Sequence, residues 1–193
     1  MLSILKPAAI LLLSLTILTG LIYPAVVTLL AQGLLPDQAN GSLIRDKQDR
    51  IVGSALIGQQ FTAPHYFWGR PSATSPAYNA AASSGSNLGP TNPLLFTNVA
   101  DRIKTLQKAD PDNHALIPVD LVTTSASGLD PHISIAAAHY QISRVAKARH
   151  INPDKLRKLV NDATEPRQWL IFGEPRVNVL QLNLALDNSF PSP

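Results

Sequence analysis

Hydrophobic and polar positions divide this chain into two regions. From Pro7 to Pro36 no Asp, Glu, Lys or Arg occurs, and Leu, Ile, Val and Ala dominate. A helix crossing a hydrocarbon core about 30 Å thick needs about 20 such residues, so this run predicts a transmembrane helix with length to spare for tilt. A cleavable signal peptide is the rival reading, with Ala31-Gln32-Gly33 as its small-x-small site. The run is much longer than the apolar stretch of about 7–15 residues that such peptides carry, which favours a retained helix.

Beyond residue 36 the pattern shortens. Ser42–Arg45 and Arg50–Ile57 flank the polar Asp46–Asp49, which predicts a β-hairpin. Residues 62–93 are rich in Pro, Ser, Asn and Gly but also hold Tyr66, Phe67, Trp68 and Tyr78. Bulky aromatics among breakers predict an ordered irregular loop rather than a flexible linker. Asn92-Pro93, Asp130-Pro131 and Asn152-Pro153 each set a capping side chain before a Pro at the first helical position, and each predicts a helix start. The first helix runs to about Lys108, with Leu95, Val99, Ile103 and Leu106 on one stripe. The second runs to about Arg149, with Ile135, Ala138, Ile142 and Val145 aligned, and the third is short, with Leu156, Leu159 and Val160. Val119–Thr124, Trp169–Phe172 and Val177–Leu184 read as strands, the last alternating through Leu180, Leu182 and Leu184. The fold class is therefore α+β: a single N-terminal transmembrane helix followed by one mixed helix/strand domain.

Charge orients this arrangement. The chain has 193 residues with 16 Lys and Arg against 13 Asp and Glu, and only Lys6 precedes residue 37. The positive-inside rule then places the N-terminus in the cytoplasm. Residues 1–36 become a cytoplasmic tip and transmembrane helix at the plasma (inner) membrane, and 37–193 an extracytoplasmic domain. That domain is nearly neutral and has no long basic tract, which gives nucleic-acid binding no support. The chain has no Cys, so it has no disulfide framework, thiolate metal cage or cysteine nucleophile. Glu165 and Glu174 are its only glutamates, which disfavours a paired-glutamate acid–base site.

Candidate chemistry is sparse. Ser14, Thr16, Thr19 and Gly20 interrupt the apolar helix with small and hydroxyl residues suited to packing against other helices, and Pro24 predicts a kink or loosened turn. No phosphate-binding loop is present, and Ser84-Gly-Ser-Asn-Leu-Gly89 reads as a tight turn. Thr123–Ser134 crowds hydroxyls around Asp130 and His132. A serine hydrolase would use Ser125 or Ser127 with His132 as base, but the Gly-x-Ser-x-Gly elbow is missing, and Asp130 reads better as a helix cap. His132 and His139 fall on one face of the second predicted helix, without the further ligands a zinc site needs. Gln141, Arg144 and Arg149 lie on that helix, and Gln141 and Arg144 face either a partner or solvent.

Several stretches taken in order resemble one family. They are Gly20-Leu-Ile-Tyr-Pro24, Ala39–Arg45, Gly53–Phe61, Tyr66–Ala73, Ser84–Pro90, Val122–Asp130 and Val177–Asp187. Together they are similar to the C subunit of Kdp-type bacterial potassium-transporting P-type ATPases. The resemblance implies a non-catalytic accessory subunit with one membrane helix, needed for assembly and acting as a catalytic chaperone that raises ATP affinity in the pump subunit. It implies two protein partners, a potassium-channel-like subunit and the P-type ATPase subunit, besides membrane lipid. ATP and Mg are then bound mainly by the pump subunit, and this chain has no cofactor of its own. A direct ATP contact through Gln141 is one version of the family's mechanism. An outer domain without a phosphate loop favours indirect coupling instead. Arg70, Ser72, Asn87, Ser125, Ser127, Gly128, Asp130, Gln141 and Arg144 form the candidate partner or regulatory surface. A membrane-anchored extracytoplasmic serine hydrolase and a tethered binding protein stand as alternatives.

Overall fold

The computed structural model describes residues 2–191. It is mixed helix and strand and divides into two compact units between Ser54 and Ala55.

The first unit opens with one continuous helical run. Helix α1 (Leu2–Ile17) passes through a π-helical turn, Leu18–Ile22, into α2 (Tyr23–Leu34). Its stretch Ile4–Leu34 spans 31 residues and contains an 18-residue window with mean hydropathy 2.3 and no buried side chain. At 1.5 Å per residue that is about 46 Å, enough to cross a bilayer with tilt. The looser turn lies just before Pro24. Pro24 has no N–H to give, and its ring would crowd the carbonyl one turn back. The wider turn, in which the Tyr23 N–H reaches the Leu18 carbonyl, accommodates both. The Thr16 and Thr19 hydroxyls donate to their own helix at the Leu12 and Leu15 carbonyls, at 2.8 and 2.7 Å.

A short helix α3 (Pro36–Ala39) leads into the expected hairpin, β1 (Leu43–Arg45) antiparallel to β2 (Ile51–Ser54). Asp46 builds its turn by accepting from the Gln48 and Arg50 N–H groups and from Arg50 Nε. The Arg50 backbone bond is the largest influence holding the Asp46 carboxyl below its usual range.

The second unit has an antiparallel sheet in the order β3-β5-β4, with β3 His132–Ser134, β4 Thr164–Glu165 and β5 Arg176–Asn178. Helices α4 (Pro93–Ala109), α5 (Ile135–Tyr140), α6 (Ile142–Arg149), α7 (Pro153–Asp162) and α8 (Val179–Ser189) complete it. Asn92 and Asn152 cap α4 and α7 as their sequence signals require, accepting from the Leu94 and Asp154 N–H groups. The core joins Val145, Leu156, Val160, Val177, Leu182 and Leu186 to Phe67. Phe67 is fully buried although it lies in a segment without helix or strand.

Six expectations from the sequence are corrected. Asp130 does not cap a helix. His132–Ser134 pairs with Arg176–Asn178 as a strand, and Ser134 caps α5 by accepting from the Ala137 N–H. His132 and His139 therefore do not share a helix face. That helix also breaks at Gln141, whose backbone N–H turns to the Ala138 carbonyl while its side-chain Nε2 takes the Ala137 carbonyl. Val119–Leu121 is a 3-10 turn, closed by Thr123 donating to the Val119 carbonyl, and no strand forms from Val119 to Thr124. Trp169–Phe172 is an exposed turn bridged only at Gln168 and Phe172. Val177–Leu184 contains the end of β5 and the start of α8. Asn178 accepts from the Gln181 N–H and starts the helix, and Leu182 and Leu186 then meet the core at helical spacing.

Because Phe67 fills the core from a loop, Phe67→Ala is expected to destabilise the domain by about 3–5 kcal/mol. Leu116→Ala, at a side chain 95% exposed, should stay within about 0.5 kcal/mol of the parent. Denaturant titration of the full chain in detergent compares the two.

Candidate functional site

Residues 64–68 carry Phe67 into the core without a neighbouring strand, so their backbone groups need other partners. Side chains from the flanking helices supply them. The Phe67 N–H donates to Asn183 Oδ1 at 2.9 Å, and Asn183 Nδ2 donates back to the Phe67 carbonyl at 2.9 Å. Gln141 does the same for the next residue: Trp68 N–H to Oε1 at 2.8 Å, and Nε2 to the Trp68 carbonyl at 3.0 Å. Each amide thus imitates one rung of a β-ladder. Arg144 donates to the Pro64 and Tyr66 carbonyls at 2.6 and 2.9 Å and to Gln141 Oε1 at 2.6 Å. Its guanidinium lies 4.1 Å from the Trp68 ring centroid. Burial pushes this guanidinium down to about 10, so it stays protonated at neutral pH. Arg149 holds the His65 and Phe190 carbonyls and pairs with Asp187 at 2.6 Å, while Tyr66 Oη donates to the other Asp187 oxygen.

A second polar junction ties the loop after Trp68 to the segment before β3. Arg70 Nη1 pairs with Asp130 Oδ2 at 3.3 Å, and Nη2 donates to the Thr124 carbonyl. Ser72 Oγ donates to the Gly128 carbonyl at 2.6 Å and accepts from the Tyr78 N–H. Gly128 has φ +66°, and a Cβ there would lie 2.5 Å from the Ser84 carbonyl oxygen, so the approach requires glycine. Ser125 Oγ accepts from the Gly128 N–H, and Ser127 Oγ from the Leu129 N–H. Asp130 Oδ1 accepts from the His132 N–H, and its carboxylate faces His132 Nδ1 at 3.4 Å. His132 Nε2 lies 3.7 Å from Glu165, which pairs with Arg176 at 3.0 Å. Burial alone would raise the Asp130 carboxyl. The His132 hydrogen bonds and the His132 and Arg70 charges outweigh it and hold the group below its usual range. Tyr78 is pushed up to about 12, by burial first and then by the Asp130 charge.

The candidate partner-surface residues thus fall into two buried or half-buried structural systems, and among them only Asn87, in a left-handed turn at φ 52°, is exposed. Gln141 and Arg144, expected on a partner-facing or solvated face, are 1% and 4% exposed. Their polar atoms point inward because the 64–68 backbone requires them. The hydrolase arrangement does not assemble: both His132 nitrogens face carboxylates, and the Ser125 and Ser127 oxygens accept from backbone N–H groups. Among the described residues no cluster of three His, Asp or Glu could hold a metal ion. An open cleft of about 460 Å³ runs between α4 and residues 71–73 and 122–124, lined by Leu95, Asn98, Arg102 and Thr123. Sequence reading missed Asn183, Asp187 and Asp120, whose carboxylate holds the Ser134 N–H and hydroxyl. The one available signal was a polar residue within the Leu180–Leu186 apolar run.

Gln141→Ala would leave both Trp68 backbone groups and one Arg144 donor unpaired, and is expected to cost about 2–4 kcal/mol of stability. Gln141→Glu should recover only part, because it keeps the acceptors and loses both donors. The depressed Asp130 carboxyl contributes stability that is present above the unfolded value of about 3.9 and lost as pH falls through the lower folded one. Asp130→Asn should therefore flatten the acid limb of a denaturation-midpoint profile recorded between about pH 2 and 6.

Residues 5–188 match the family described as KdpC, the K+-transporting ATPase c chain. A Dechloromonas aromatica (strain RCB) protein named potassium-transporting ATPase KdpC subunit is 58% identical over 187 residues, covering 96% of this chain and 97% of that protein. A Methylococcus capsulatus protein of the same name is 60% identical over 183 residues, 94% of this chain and 96% of its own length. One from Burkholderia mallei (strain SAVP1) is 59% identical over 186 residues, 96% of each chain. With a match that runs from the apolar helix through α8 and identities near 60% over nearly full length, this chain belongs to the KdpC family of K+-transporting ATPase c chains.

Proposed function

We propose that this chain is the non-catalytic accessory subunit of a high-affinity, ATP-driven potassium uptake complex, and that it acts on the pump subunit from outside the nucleotide site. Its partners are the potassium-channel-like subunit and the P-type ATPase subunit, and ATP and Mg are held by the latter. The apolar helix anchors the chain in the plasma membrane, N-terminus inside and domain outside, as Lys6 ahead of the uncharged run favours. Within the membrane Ser14 and Gly20 offer close approach, and the widened turn before Pro24 offers a non-regular surface to neighbouring helices.

The observation that carries the indirect route is the saturation of Gln141. An amide has two donor hydrogens and two acceptor lone pairs. The Gln141 donors go to the Trp68 and Ala137 carbonyls, and its acceptor oxygen takes Trp68 N–H and Arg144. Nothing remains for a nucleotide. Raised ATP affinity and complex assembly then follow from contacts this subunit makes better in one conformation of the pump than in another, a coupling of about 1–3 kcal/mol in typical cases.

A reporter joined after Pro193 should be active only outside the cytoplasm, and cytoplasmic activity would remove the outer-domain reading. Deleting the gene should stop growth at limiting potassium while the larger subunits are still made. Unimpaired growth would remove the pump reading and favour a tethered binding protein.

A further inference from the structure

The turn at 168–173 presents four consecutive large apolar side chains to solvent: Trp169, Leu170, Ile171 and Phe172 are 84%, 83%, 71% and 58% exposed. A single exposed Leu is ordinary, but a contiguous apolar tip of this size marks a contact site.

The tip is built, not loose. Gln168 and Phe172 exchange backbone hydrogen bonds at 2.9 Å, Leu170 and Ile171 N–H groups bond back to Arg167 and Gln168, and Trp169 and Phe172 stack edge to face at 6.0 Å. Arg167 clasps Glu174 in a bidentate pair at 2.7 and 2.6 Å. Trp169 and Leu170 sit at φ 50° and 66°, a conformation bulky residues rarely adopt.

We infer that this apolar tip is a knob that seats in an apolar pocket on another protein chain of the potassium-transporting ATPase. The inference rests on the accessory-subunit reading above. Charge decides against lipid as the occupant. Interfacial insertion draws strength from cationic flanks facing anionic headgroups. Here Arg167 is neutralised by Glu174 and Arg176 by Glu165, so residues 165–176 carry no net charge. An apolar centre containing Trp inside a rim of paired charges is instead the layout of a protein interface.

The test uses the intact complex in membranes. A photo-crosslinking residue in place of Leu170 should attach to one of the larger chains of the complex, identified by mass spectrometry. Attachment to lipid alone, to a second copy of this chain, or to nothing overturns the inference. Leu170→Asp with Ile171→Asp should lower recovery of the larger chains on this chain's affinity tag by about tenfold, a hot-spot-sized loss. The midpoint for denaturing the full chain should not move, because these side chains bury little within the domain. Undiminished recovery overturns the inference but leaves the accessory-subunit reading standing. Failure of the unaltered chain to recover the larger chains overturns both.

Discussion

The domain depends on a backbone that has no strand beside it. Residues 64–68 carry Phe67 into the core, and leaving their partly buried peptide groups without partners would cost more than a marginally stable domain can bear. Asn183 and Gln141 each satisfy the N–H and the carbonyl of one residue, while Arg144 and Arg149 collect the Pro64, His65 and Tyr66 carbonyls just before them. Only then can Phe67 enter the core and Trp68 lie beneath a guanidinium. The arrangement couples a loop to α6 and α8 through charged and amide side chains, so the loop cannot shift without breaking several buried bonds at once.

The second junction follows from the first. With 64–68 held, Arg70 and Ser72 reach the segment before β3, and Gly128 lets the two backbones approach closely. Residues that look in sequence like a catalytic group, Ser125, Ser127, Asp130 and His132, spend their polar atoms on backbone N–H groups, on Arg70 and on Glu165. A cluster of hydroxyls around a histidine is here a loop-bracing system. The consecutive large apolar side chains that the fold leaves exposed include the Trp169–Phe172 tip and the membrane-length helix.

In the membrane helix the same principle works in the opposite direction. Pro24 removes a donor, and the chain answers by widening one turn rather than by recruiting another residue. Thr16 and Thr19 return their hydroxyls to their own helix, which lets polar groups sit in an apolar medium without a partner.

What sequence determined by itself was local. The length of the uncharged run, the hairpin around Asp46–Asp49, and the Asn-Pro starts of α4 and α7 all depend on neighbours within a few residues, and each is found where the pattern placed it. Tertiary structure decided the rest. Leu180, Leu182 and Leu184 alternate as a strand would, but Asn178 caps a helix, and the core rewards the spacing of Leu182 and Leu186 instead. Asp130-Pro131 carries the same signal as Asn152-Pro153, but pairing with Arg176–Asn178 claims the next residues for a sheet. Gln141 and Arg144 read as surface residues on their helix, and Asn183 lies in a segment that reads as a strand. Their partners lie 73 to 116 positions away, a separation no periodicity can express, and only the folded chain brings the unpaired backbone that requires them.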